Sequence, residues 1–462
     1  MSDEPDGVAD RLSAERQGAS GRAAAGLASR SILLLAATAV GNSGFFVSAL
    51  VLARSLGPAG RGSMAFFVVS ALIGARLVGI GVSEATAVFA AGRPHMRGLL
   101  VGNILLFAAT GASGGALLLS GTLASVRQYL PSGIGVPELS FLGVAIVMTY
   151  TSAANLGFLQ GARRFRSLAV LTATVPWMYA LELTVVWLLT GIDVTRASAT
   201  WMVNAVLSAA LSSLFALRSV RGIRFDGRLM RESIAFGARA WIGTMAGFLN
   251  ARVDQIVMGF IATETALGVY SVAVNASEVL LYLPMATATV LLPAIAGAEP
   301  EQRINRTLHV FRQLTLIGGA SIVLGGAAGA PLIPVVFGHA FTGSVHAFLL
   351  LLPGALGYSA LVVFTTALLA EGLPGRSSLS ILAALVLGLA LDFALVPPFG
   401  AYGAAPAATA AFFGGGFVAI LLVRARRPFG WIALIPSRRD VAIACSFVAD
   451  LVRRRTVPGA SA

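Results

Sequence analysis

The chain carries a few ionisable residues inside long apolar runs, where such side chains are costly. One placed at mid-bilayer depth costs about 2.5–3.5 kcal/mol on insertion scales, so it faces either a partner or a polar cavity. The candidates are Arg76 and Glu84 in one run, Glu182 in another, and Arg239, Arg252 and Asp254 in a third. Glu278 and Asp392 complete the set. On a continuous helix Ser83, seven residues after Arg76, shares its face, with Glu84 turned away by about 80°. Arg239, Asn250 and Asp254 share another face, with Arg252 pointing roughly the other way. Ser271, Asn275, Glu278, Tyr282 and Thr289 form a polar stripe on an otherwise apolar helix.

Two kinds of chemistry follow. A guanidinium presents a planar fork that matches a pair of phosphate oxygens. That makes Arg76, Ser83, Arg239, Asn250, Arg252, Asp254 and Asn275 candidates for lining a polar cavity. Glu278 and Glu182 are candidates for binding a coupling proton or sodium ion. The competing reading is structural: Arg76 pairs with Glu84 or Asp254, or Asp254 with a neighbouring arginine, only to lock the bundle. Arg239, close to the end of its run, also reads as a side chain snorkelling to the interface.

Catalysis and metal binding are not expected. "GASGG" (111–115) matches G-x-S-x-G but lies in an apolar run with no preceding strand. His95, His309, His339 and His346 are scattered, Cys445 is the sole cysteine, and no glycine loop for phosphates occurs. The spacings Gly98/Gly102, Gly243/Gly247 and Gly325/Gly329 fit close helix packing instead.

The elements that hold these residues follow from composition. Hydrophobic residues make up 57% and charged residues 11%, against roughly a quarter charged in soluble domains. Such a chain cannot cover a water-facing surface of ordinary size. Apolar segments fall near 31–53, 62–92, 98–123, 139–160, 168–190, 199–217, 234–262, 266–297, 310–337, 345–370, 377–397 and 402–423. Each is long enough to cross about 30 Å of hydrocarbon as a helix. The expected class is therefore an all-α polytopic membrane protein with about twelve transmembrane helices.

All 33 basic residues are arginines, and their placement sets the orientation. With a cytoplasmic N-terminus, 26 fall on inner segments, four (Arg54, Arg61, Arg127, Arg196) in outer loops, and three inside spans. The asymmetry is a positive-inside signal with both termini cytoplasmic. The net charge of +13 thus reports topology and not nucleic-acid binding. The basic loop 218–233 divides the spans into equal halves. The expected organisation is a disordered cytoplasmic tail (1–30), a six-helix lobe (31–225), a second six-helix lobe (226–427) and a basic cytoplasmic tail (428–462). The last of these reads either as an interfacial helix or as solvated chain.

Four segments carry a resemblance: "LARSLGPAGRG" (52–62), "RVDQIVMGFIATETALGVYSVAVNASEV" (252–279), "FGHAFTGSVHAFLLLLPGAL" (337–356) and "PPFGAYGAAPAATA" (397–410). Together, and in this order, the chain resembles the polysaccharide flippases, the Wzx-like branch of the multidrug/oligosaccharidyl-lipid/polysaccharide exporter superfamily. The resemblance implies two six-helix lobes around a central cavity, working by alternating access. It implies movement of a polyprenyl-diphosphate-linked oligosaccharide from the inner to the outer leaflet of a bacterial plasma membrane, for cell-surface polysaccharide biosynthesis. Arg76 is the best positional match to the family's cationic lining. The partners implied are the lipid-linked glycan, membrane lipids, and a polymerase and glycosyltransferases of the same pathway. No cofactor is expected beyond a coupling H+ or Na+. The alternative is a cation-coupled drug exporter of the same superfamily; a membrane glycosyltransferase or polymerase fits poorly, because the outer loops are short. The sequence does not name the glycan, the polyprenyl length or the energy source.

Overall fold

The computed structural model describes residues 6–121, 130–438 and 440–442. Without water, backbone polar groups must be paired within the segment, and these apolar runs accordingly fold as helices. The first half holds α1 (Asp6–Gly79), α2 (Val82–Gly92), α3 (Arg97–Gly121), α4 (Val136–Gly161), α5 (Phe165–Thr190) and α6 (Val194–Leu217). The second begins with α7 (Gly227–Asn250), α8 (Val253–Ile261), α9 (Glu264–Ser277) and α10 (Tyr282–Ala296). It continues with α11 (Pro300–Phe337), α12 (Gly343–Leu351), α13 (Gly354–Ala370), α14 (Pro374–Phe399) and α15 (Ala401–Arg424).

Among the described residues, nine helical stretches are long and apolar enough to cross a membrane. The first, Leu33–Gly79, is two arms joined at Gly57. With α3 and the α7–α8 pair, the crossings number twelve. Leu181, Leu188 and Leu189 on α5 are among many exposed apolar side chains, the outer surface a lipid solvent requires. Packing divides the bundle in two. In the first half α1 lies against α5 and α4, while α4 packs on α3 and α6. In the second α15 lies against α13 and α14, α10 against α13, and α9 against α12. The halves meet where α1 packs on α9 and α2 on α7.

Several crossings are broken, and the breaks have local causes. Gly57 adopts φ 66, ψ −175, a conformation glycine reaches freely, and Pro58 then starts the second arm of α1. Ile80 (φ 39) and Gly81 (φ 71) separate α1 from α2. A single 3-10 turn, Glu278–Leu281, separates α9 from α10; Pro284, without an N–H, leaves the Leu280 carbonyl no helical donor. Nothing in the sequence explains the break at Ala251–Arg252.

Three expectations need correction. The N-terminal stretch, expected to be disordered, is helical from Asp6 and continuous with the first crossing; alanine, its commonest residue, is the best helix former. Gly98 and Gly102 do not pack a helix. A Cβ on Gly98 would lie 2.0 Å from the Gly222 carbonyl oxygen and one on Gly102 2.2 Å from that of Arg224, so α3 receives the linker between the lobes. Asn103 fixes the same linker, with its side-chain amide bonded to the backbone N–H and C=O of Asp226. Finally, Arg61 is no loop residue. It lies in the first turn after Pro58 and is 7% exposed. Of the C-terminal tail, residues 443–462, which include most of the expected interfacial helix, lie outside the described residues.

Candidate functional site

The expected site residues fall into three groups instead of one lining. Arg76 is exposed on the second arm of α1 and faces the other lobe. Its guanidinium carbon lies 4.2 Å from the ring centre of Phe248 on α7, and its carbonyl accepts the Trp241 indole N–H at 2.8 Å. Among the described residues Arg76 makes no ion pair, so neither Glu84 nor Asp254 is its partner. Arg239 is also exposed, higher up the same α7 helix toward the linker. Ser83 does not continue Arg76's face, because the chain turns at Ile80–Gly81 between them. Its hydroxyl donates to the Glu84 carboxylate at 2.6 Å.

A second group forms inside the C-terminal lobe. The break at Ala251–Arg252 turns Arg252 toward Glu278, and the two pair at 2.5 Å. The Tyr270 hydroxyl donates to Asp254, which also accepts the Gln255 N–H at 2.7 Å. Asp392 on α14 is 2% exposed and lies in electrostatic range of Asp254. Continuous-helix spacing therefore misplaced this region: Arg252 and Asp254 occupy one neighbourhood, and Asn250 ends the preceding helix. The stripe from Ser271 to Thr289 is likewise split at Glu278. Asn275 is half-buried one turn before it.

The third group lies in the N-terminal lobe. Glu182, half-buried on α5, sits one turn from Tyr179, whose ring meets Trp201 of α6 edge-on at 4.9 Å. Arg61 lies in electrostatic range of Tyr179 and of Arg252. Sequence reading passed over Arg61, Tyr179, Trp201 and Tyr270. A signal existed only for Arg61: Gly57–Pro58 marks a helix start that carries it inside.

The lobes touch at both ends. At the arginine-poor end a Cβ on Gly62 would lie 1.9 Å from the Glu264 carbonyl oxygen, and one on Gly268 1.8 Å from that of Pro58. Arg54 donates to the carbonyls of Val335 and Val336 at 2.7 and 2.8 Å, and the Glu264 carboxylate accepts the Ser132 and Gly133 N–H groups. At the arginine-rich end Gly81 and Gly237 meet backbone to backbone, Arg93 pairs with Glu232 at 2.8 Å, and Phe89 packs on Phe236. The first end is held by close glycine packing and by the Arg54 and Glu264 hydrogen bonds, the second by Gly81–Gly237, one partly exposed ion pair and a ring contact.

With this geometry in hand, the relatives can be weighed. Residues 51–346 match the model of a family described as polysaccharide biosynthesis protein. The chain belongs to that family. Over 325 residues it is 24% identical to the probable flippase AglR of Haloferax volcanii, covering 66% of this chain and 65% of that one. It therefore spans just under two thirds of that relative's length. It is 26% identical over 336 residues to the EPS I polysaccharide export inner membrane protein EpsE of Ralstonia solanacearum, covering 68% and 74%. Its fold matches the lipid II flippase MurJ in an inward closed conformation, with TM-score 0.72 and 12% identity over 93% of this chain and 99% of that one. At that identity the likeness speaks for the fold alone. This family member is a multi-pass membrane protein with twelve helical crossings in two lobes.

Proposed function

We propose that this family member is a flippase that moves a polyprenyl-diphosphate-linked oligosaccharide between leaflets by alternating access. The observation that carries the reading is Arg76: a cation between the lobes, with an aromatic neighbour and, among the described residues, no carboxylate paired to it. A diphosphate entering a low-dielectric space loses hydration that such a guanidinium replaces. The family and the relatives named for flippase or polysaccharide export support the same cargo. They do not favour the cation-coupled drug exporter. The protein acts as a transporter and not as an enzyme, in a bacterial plasma membrane with both termini cytoplasmic, alongside a polymerase and glycosyltransferases of its pathway. Arg239, Arg252, Asp254, Asn250, Asn275 and Ser83 contribute polar contacts around the cargo, and Glu278 or Glu182 couples transport to H+ or Na+. Deleting the gene and extracting lipids tests this. A lipid-linked glycan should accumulate on the inner leaflet; unchanged glycolipid pools with normal polymer export would overturn the proposal.

A further inference from the structure

Arg76 sits in the last turn of α1, just before the chain breaks at Ile80 and Gly81, where helix carbonyls run out of donors. The opposite lobe supplies one. On α7, Trp241 follows Gly237 by four residues and Phe248 follows Trp241 by seven, so the three share a face, and that face meets the end of α1. Gly237 permits the approach, since a Cβ there would lie 2.3 Å from the Gly81 carbonyl oxygen. One turn on, the Trp241 indole N–H donates to the Arg76 carbonyl at 2.8 Å. Two turns further, the Phe248 ring centre lies 4.2 Å from the guanidinium carbon. Trp241 thus holds the backbone of Arg76, and Phe248 holds its side chain.

The kind of contact matters as much as its place. An aromatic ring attracts a cation through its quadrupole and brings no negative charge of its own. A carboxylate at the same place would neutralise Arg76 and occupy its donor fork. Arg76 is exposed, and among the described residues no carboxylate pairs with it, so its charge is open to an anion. A loose arginine gives up much of its rotamer freedom on binding; one already held gives up less. We infer that Phe248 and Trp241 are positioning residues, through which the C-terminal lobe holds Arg76 of the N-terminal lobe as a bare cation for the diphosphate. The hold crosses the lobe boundary, so it lasts only while the arginine-rich ends of the lobes meet.

The inference rests on the flippase reading, and the experiment separates the two. Full-length protein in lipid nanodiscs is titrated with polyprenyl diphosphate and with the corresponding polyprenyl alcohol. The ratio of the two affinities isolates what the diphosphate contributes, and a packing defect that weakens both lipids cancels from it. The wild-type ratio should be at least about tenfold, and Arg76→Gln should bring it close to unity. Phe248→Leu and Trp241→Phe should each lower it about threefold. Phe248→Tyr, which keeps the ring, should leave it as in the wild type. In an Arg76→Gln background neither Phe248→Leu nor Trp241→Phe should lower it further, because both act through Arg76. A wild-type ratio in either single variant, or an equal fall with and without Arg76, would overturn the positioning role while the flippase reading stands. A ratio unchanged by Arg76→Gln would remove the diphosphate role of Arg76, and the inference with it.

Discussion

Arg76 and Arg252 are both arginines within the bundle, yet only one is neutralised by a carboxylate, and their variants should behave differently. Arg76→Gln should abolish polymer export while the protein reaches the membrane in normal amount, and Arg76→Lys should keep part of the export. Its ring contact with Phe248 contributes about 0.5–1 kcal/mol at an exposed position, too little to threaten folding. Immunoblotting of membranes beside polymer quantification checks both halves. Glu278→Gln should instead lower abundance, because it strands the half-buried Arg252 guanidinium. A second change, Arg252→Gln, should restore abundance toward wild type. If Glu278 also couples transport, the double variant regains abundance without regaining dependence on the ion gradient, which an assay with and without the gradient reads. Residue type and rough depth were legible here; partners were not. A carboxylate 26 residues away in sequence reaches Arg252 because two helix breaks, at 251–252 and 278–281, lie between their helices.

At the scale of elements, the breaks matter more than the helices. Apolar runs disclosed twelve crossings, since length and hydropathy suffice for that. Periodicity then assumed straight helices, so it joined Ser83 to Arg76 across the Ile80–Gly81 turn, while the span boundary at 62 left the buried Arg61 in an outer loop. The glycine contacts between lobes give a direct test. Gly268→Ala places a methyl 1.8 Å from the Pro58 carbonyl, so α1 and α9 must separate. Spin labels at Ala59 and Thr265 should report a longer and broader distance than in the wild type; an unchanged distribution would contradict the role of this contact. The C-terminal segment offers a second test. Asp440, 2% exposed, accepts from Arg312 at 2.8 Å, from the Ser437 hydroxyl at 2.6 Å and from the Ser437 N–H, and clasps the segment to α11. Burial alone would raise its carboxyl, but the Ser437 bonds and the Arg312 charge outweigh it and hold it down at about 2. A depressed carboxylate stabilises the clasp fully above its unfolded value and loses that contribution as the pH falls toward about 2. Asp440→Asn should loosen the clasp at neutral pH, seen as faster hydrogen exchange over 431–441.

On the scale of the molecule, composition carried the class, because it follows from the energetics of a bilayer and not from any one contact. The division into two lobes follows from packing, and their joining at two separate ends, each with its own set of glycine and polar contacts, suits a carrier that opens one end at a time. What no composition could reveal is how polar residues distribute: the Arg76 guanidinium between the lobes without a carboxylate among the described residues, an acidic cluster in one lobe, and an aromatic–polar cluster in the other. The central claim is movement of a lipid-linked glycan, and reconstitution measures it most directly. Purified protein is placed in liposomes holding a polyprenyl-diphosphate-linked oligosaccharide, and the fraction open to an added glycan-cleaving enzyme is followed over time. Wild-type protein should expose the pool initially sheltered in the inner leaflet, and Arg76→Gln should leave it sheltered at the level of protein-free liposomes. Equal exposure with wild-type, Arg76→Gln and no protein would contradict the account.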